Sequence, residues 1–220
     1  MPSISSPAVS RNIQRIIVLD TETTGVQHHD KIVTLAALSF EGDKIIQRSH
    51  YLAFDPRRNS APEALAVHGW DDWTTRFQDL FEDHASDLHK WLAWADQLVM
   101  HNAQFDMHYL QREMRKAGQP PIEVPTFCTL ASARQTWPGQ RNGLDDCIER
   151  IGHRRRTKRH NALEDAFYTA SLYLHLRGGR LNVPEVPVWP IPRNYRVPDA
   201  HPGHPLPRRT KKTPGDLREA

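Results

Sequence analysis

Cysteine is scarce. Cys128 and Cys147 are the two in 220 residues, too few for a disulfide framework. No Cys/His cluster has the spacing of a structural zinc site. No apolar run approaches the ~20 residues that span a bilayer. The opening stretch, residues 1–15, lacks the apolar core of a secretion signal. These absences exclude a disulfide scaffold, a zinc finger and a membrane-spanning chain, and a reducing cytoplasm is the expected compartment. A strong excess of one charge is lacking too: 29 Lys and Arg face 26 Asp and Glu, a formal net charge of +3. Such a balance does not identify a partner, so the placement of charge matters more than its total.

Proline, by contrast, is plentiful and unevenly placed, with nine of 17 in the last 40 residues. That segment also holds seven Lys and Arg against four acids, so the whole formal excess sits there and residues 1–180 balance. A stretch rich in proline and poor in apolar periodicity cannot bury enough surface to offset its ordering entropy. The expected organisation is a flexible N-terminus over residues 1–14, a folded domain over 15–178, and a proline-rich basic tail over 179–220, disordered or extended. Inside the domain, residues 154–159 read Arg-Arg-Arg-Thr-Lys-Arg. The stretch Asp71 to Asp87 holds six acids and one basic residue, Arg76, and reads as an acidic, solvated face.

Hydrophobic periodicity places the elements. Residues 15–20 form a short β-branched run, the mark of a buried strand. Ile32 to Phe40 and Lys44 to Ala53 are two more strands, with Glu-Gly-Asp between them as a hairpin turn. Pro62 to Val67 and Asp79 to Trp94 read as helices, and Gln97 to His101 as a fourth strand. Asn102 is in position to cap a helix bearing Ala103, Met107, Leu110 and Met114, which Gly118 and Pro120-Pro121 end. A fifth strand over Val124 to Thr129 leads into a helix to Trp137, and Leu144 to Ile151 is another. Asn161 with Glu164 resembles a capping box that opens a last helix to about Leu176. A starting hairpin followed by α/β alternation predicts a mixed five-stranded sheet flanked by helices.

Carboxylates gather where these elements end. Asp20 and Glu22 close the first strand, and residues i and i+2 share a face. Two acids side by side repel unless a cation lies between them. Asp106 falls one turn into the helix after the fourth strand, at the edge where α/β sheets build sites. Asp165 falls in the first turns of the last helix and faces inward if Ala162 and Ala166 pack. His160 sits just before that helix, on a loop, where a histidine can exchange protons with solvent near neutral pH. Four carboxylates without thiolates or a histidine cluster favour hard divalent ions, Mg²⁺ or Mn²⁺. Two such ions about 3.5–4 Å apart can clamp the attacking and leaving oxygens of an in-line phosphoryl displacement. His160 is then the general base, and the basic run 154–159 is placed to meet phosphates.

Asp20, Glu22, Asp106, His160 and Asp165, with His-x₄-Asp as the last motif, resemble the DEDDh family of 3′–5′ exonucleases. Further matching pieces are Lys31-Ile32-Val33, Val67-His68-Gly69, Thr126-Phe127-Cys128 and Leu144-Asp145. The likeness covers residues 15–178 and leans to the DNA-proofreading branch. It implies a ribonuclease-H-like fold and two bound divalent cations, Mg²⁺ or Mn²⁺, on Asp20, Glu22, Asp106 and Asp165. It implies hydrolysis of phosphodiester bonds from single-stranded or mispaired DNA 3′ ends, releasing nucleoside 5′-monophosphates in proofreading or repair. It also implies that Thr23 and Gly25 border the terminal nucleotide with the backbone of Thr21 nearby, that His68 and Asn102 help hold the 3′ end, and that Phe105 packs beneath the site. RNA trimming and a non-catalytic module that binds nucleic-acid ends or a polymerase are the alternatives. For the tail the readings are a docking segment for a partner such as a polymerase subunit, a tether to nucleic acid, and a solvated linker.

Overall fold

Alternation along the first strand, β1 (Arg15–Thr23), decides the architecture of the computed structural model. Ile17 and Leu19 point to one side of the sheet and Ile16 and Val18 to the other, all at 5% exposure or less. A strand apolar on both faces needs a cover on each. β2 (Ile32–Glu41) and β3 (Lys44–Ala53) follow, then α1 (Pro62–His68), α2 (Asp72–Thr75), α3 (Phe81–Ala93), β4 (Gln97–Met100) and α4 (Ala103–Lys116). β5 (Thr126–Cys128), α5 (Thr129–Thr136), α6 (Leu144–Arg150) and α7 (Ala162–Leu176) complete the order. The structure describes residues 15–41, 44–155, 157–179 and 190–209. Residues 1–14, the predicted turn residues Gly42 and Asp43, and much of the tail lie outside the described residues.

The sheet is mixed and five-stranded, in the order β3-β2-β1-β4-β5. β1 runs antiparallel to β2 and parallel to β4. Ile17, Leu19, Leu35, Leu52 and Leu98 form one core with Leu88 and Leu92 of α3 and Leu110 and Met114 of α4. Ile16, Val18, Ala36 and Val99 form the other with Ala162, Leu163, Ala166 and Tyr173 of α7. α5 and α6 pack outside α7 through Ala133, Cys147 and Leu172. Among the described residues no helix is long and apolar enough to cross a membrane.

The predicted elements are present, with four differences. The acidic stretch is not simply a solvated face. Asp71 caps the four-residue α2 by accepting from the amides of Trp73 and Thr74. Asp72 accepts from Ser60 N at 2.8 Å, and Asp83 accepts from Leu80 N. Orphan amides at helix starts attract short acids, so these residues are spent on local structure. Second, Asn102 stands before α4 in the left-handed conformation, φ 72°, and its side chain makes no capping bond. Third, Asn161 does cap α7, accepting from Leu163 N and Glu164 N, but Glu164 does not complete a capping box; it accepts from the Tyr168 hydroxyl instead.

The tail is the fourth. Residues 190–209, which have no helix or strand, are seated on the domain. β3 is an edge strand, and an open edge exposes unpaired amides and carbonyls. Arg193 N donates to Tyr51 O at 2.9 Å. The Asn194 carboxamide accepts from Ala53 N at 2.9 Å and donates to Ala53 O at 2.7 Å. Gln78 exchanges two bonds with the backbone of Arg196, and the Arg196 guanidinium lies 2.7 Å from Asp79. Farther on, Arg209 pairs with the buried Asp55 at 2.7 Å.

Candidate active site

The same alternation that divides the core sorts the acids. Asp20 and Glu22 lie on the even-numbered face of β1, with Val18, and so look toward α7. Asp165 comes from the first turn of that helix and is 3% exposed, beside Ala162 and Ala166 at 0%. Thr21 points the opposite way, toward α4. Its backbone N–H and its hydroxyl both donate to Asp106 Oδ1, at 3.0 and 2.7 Å. Thus α4 and α7, on opposite layers, deliver acids to one strand end.

Glu22, His160 and Asp165 each offer a ligand atom within 4.8 Å of the others. Asp20 and Asp106 complete the charge cluster. Burial, then the charges of Asp165, Asp106 and Glu22, raise the Asp20 carboxyl well above its ordinary value of 3.8. Burial, then Asp165, pushes Glu22 up to about 8. Asp106 rises to about 7 because burial outweighs its bonds from Thr21. Desolvated like charges resist ionising together. Glu22 Oε1 is buried and has no hydrogen-bond partner among the described residues. An oxygen-rich, negatively loaded site with an orphaned carboxylate oxygen fits a hard divalent cation.

His160 is held at both ends of its residue. Its amide donates to Val67 O at 2.9 Å, and Nδ1 lies 3.0 Å from Asp165 Oδ2. That bond to Asp165 raises its pKa, with burial acting against it. The side chain is still 37% exposed, so Nε2 can reach a solvent molecule.

Arg155 is the residue whose part the sequence reading misses. The basic run was expected to lie along the substrate backbone, but the Arg155 side chain is 8% exposed and turns inward. Its guanidinium lies 2.5 Å from Asp165 Oδ1 and donates from Nε to Asp145 Oδ1 at 2.9 Å. A buried carboxylate cluster draws the nearest cation into itself. A basic run before an acid-bearing helix is the signal that could have found it.

The expected substrate-binding residues are placed as follows. Thr21 has both its N–H and its hydroxyl committed to Asp106, so it anchors an acid and offers neither to a nucleotide. Thr23 Oγ1 donates to Gly25 O at 2.7 Å, which shapes the turn beyond β1. A Cβ at Gly25 would collide with the Asp30 carboxylate. His68 is buried and accepts from Trp70 N through Nδ1; burial lowers its pKa to about 4, so it stays neutral. Asn102 is exposed at the start of α4. Phe105 is half-buried on the core and meets Tyr109 edge-on, centroids 4.9 Å apart.

A mixed sheet that brings four acids and a histidine to one edge defines the class of metal-dependent phosphoryl-cleaving enzymes. The chain belongs to the exonuclease family, whose model matches residues 17–173, and it is a 3′–5′ exonuclease. It is similar to the epsilon subunit of DNA polymerase III from Haemophilus influenzae, at 34% identity over 184 residues, covering 78% of this chain and 71% of that one. The Escherichia coli epsilon subunit is 34% identical over 187 residues, covering 80% of this chain and 76% of that one. Among solved structures, exonuclease X in complex with 5′ overhanging duplex DNA has a TM-score of 0.60 at 24% identity, covering 74% of this chain and 91% of that chain. Product-bound exonuclease I has a TM-score of 0.65 at 15% identity, covering 77% and 44%. At these identities the two structures speak for the fold alone.

Proposed function

We propose that this chain trims single-stranded or mispaired DNA from its 3′ end, one nucleoside 5′-monophosphate at a time, as a proofreading or repair exonuclease in the cytoplasm. The convergence of Glu22, His160 and Asp165 within 4.8 Å, in the charge cluster completed by Asp20 and Asp106, carries the reading. We assign Asp20, Glu22, Asp106 and Asp165 to two divalent cations, Mg²⁺ or Mn²⁺. Bound there, the cations supply the positive charge that offsets the build-up of negative charge as a phosphodiester is cleaved. With Nδ1 engaged by Asp165, His160 keeps its Nε2 lone pair for the proton of the attacking water. Water oxygen bonds to phosphorus as the P–O3′ bond breaks, the leaving 3′-oxygen takes a proton from solvent to become the new 3′-hydroxyl, and His160 passes the water's proton to solvent through its exposed edge. Thr21 fixes Asp106 in place. Thr23, Gly25 and the exposed Asn102 border the terminal nucleotide, with neutral His68 beside them and Phe105 beneath. The epsilon relatives are DNA polymerase III subunits by name, which supports a polymerase as the partner here.

The test is digestion of matched 3′-ended DNA and RNA, single-stranded and mispaired, with Mg²⁺ or Mn²⁺. Mononucleotide release from DNA that chelator abolishes is expected. His160→Ala should lower kcat by roughly 10²–10⁴-fold, and Asp165→Asn should abolish turnover. Preference for RNA would move the assignment to RNA trimming, and full activity of Asp165→Asn would sink it.

A further inference from the structure

The seated tail builds part of a cleft of about 360 Å³ that opens beside His160. Its inner wall is His160, Asn161 and His68, and its outer wall is Trp70, Tyr195 and the segment Pro190 to Pro192. The outer wall is not loosely placed. Asn194, adjacent to Tyr195, holds both backbone groups of Ala53, and Tyr195 N donates to Pro192 O at 3.0 Å. The Tyr195 and Trp70 rings meet edge-on at 6.0 Å. Ile191 is 69% exposed at the rim, a large apolar side chain with an open face. Tyr195 and residues 190–192 lie beyond the family match at 17–173, whereas Trp70 lies within it.

We infer that this cleft takes the nucleobase of the nucleotide on the 5′ side of the bond being cut, and that the tail segment 190–196 is therefore part of the substrate path. The inference rests on the proposed exonuclease function. Three observations select a base over a phosphate or a peptide. First, His160 is shared by the cleft and the acid cluster, so an occupant lies against the phosphodiester under attack. The 3′-terminal nucleotide is proposed to lie on the Thr23, Gly25 and Asn102 side, with His68 standing between it and the cleft, which leaves its 5′ neighbour. Second, the lining carries no lysine or arginine to meet a phosphate, and its carboxylate, Asp71, is spent on capping α2. Third, flat aromatic and proline faces suit stacking, which accepts any base.

Two substrates separate the outcomes. Thymidine 5′-p-nitrophenyl phosphate has one nucleoside and nothing upstream, whereas a short oligothymidylate has the 5′ neighbour. Tyr195→Ala should raise KM for the oligonucleotide relative to that for the ester by roughly five- to a hundredfold, the loss of one stacking surface. Tyr195→Phe should restore the wild-type ratio. Ile191→Ala, at a surface position that cannot endanger the fold, should move the ratio in the same direction by less. An equal change on both substrates, or none in any variant, overturns the inference while leaving the exonuclease reading intact. A wild-type chain inert on both substrates overturns the function and this inference with it.

Discussion

In the metal-free chain, burial and neighbouring like charges raise the pKa values of Asp20, Glu22 and Asp106. Their folded pKa values are raised, so on raising the pH the unfolded chain loses protons first. Stability from these groups is therefore complete below about pH 4 and declines as pH climbs, for Glu22 through the window from 4.5 to about 8. A cation bound only by the folded state offsets the decline. We expect the melting temperature of chelator-treated protein to fall between pH 5 and pH 8, and Mn²⁺ to raise it more at pH 8 than at pH 5. Asp20→Asn should raise the metal-free melting temperature, blunt the Mn²⁺ response and abolish turnover. A Mn²⁺ response at pH 8 no larger than at pH 5 would count against the cation site. Arg155 answers the same charge from the other side. Arg155 lies 2.5 Å from Asp165 and 3.6 Å from Glu164, so Arg155→Gln takes a buried counter-ion from both, and chemical unfolding should show a loss of about 3–5 kcal/mol.

At the scale of elements, helix starts show what a residue type can and cannot reveal. Asn161 and Asn102 both precede helices, and both are asparagines of the kind that cap. Asn161 is extended, φ −138°, and its side chain reaches back to two amides. Asn102 is left-handed, a conformation asparagine tolerates better than most residues, and its side chain makes no bond to the helix start. The choice is made by how β4 turns into α4, which no local pattern records. Asn161→Ala should cost about 1 kcal/mol in the denaturant midpoint, with a further loss from its bond to the Tyr51 hydroxyl. The turn after β1 is tighter. Asp30 is fixed by Thr24 Oγ1, Gln27 N and Arg58, so it cannot yield to a new methyl group. Gly25→Ala should destabilise by roughly 1–3 kcal/mol, read by urea unfolding.

For the whole molecule the decisive contact is tail against domain. Asp79 gathers His84, Asn194 and Arg196. Burial pushes its pKa up, but the bonds from His84 and Asn194 and the charge of Arg196 outweigh that and leave it below the ordinary 3.8. A depressed folded value means the contribution is present above pH 3.8 and lost as pH falls below it. Limited proteolysis with an acid protease should find the tail protected at pH 5 and cut at pH 3 before the domain is. Asn194→Ala should expose the tail at neutral pH as well, since three of the bonds that seat it end on that side chain. Equal protection of the variant and the parent would show that the tail is held by other means.

Sequence alone marked the sheet, most of the helices and the five residues of the candidate constellation, because strand alternation, helix periodicity and motif spacing are short-range rules. Strand alternation set Asp20 beside Glu22, helix periodicity turned Asp165 inward, and spacing singled out His160. Its prolines also led to the expectation of a disordered or extended tail over 179–220. Only the tertiary structure decided where Arg155 points, which partner Thr21 serves, and that an extended tail is laid along the edge of β3. Those outcomes depend on residues far apart in the chain: a desolvated charge cluster that needs a cation, a buried carboxylate that needs donors, and an open sheet edge that needs a neighbour.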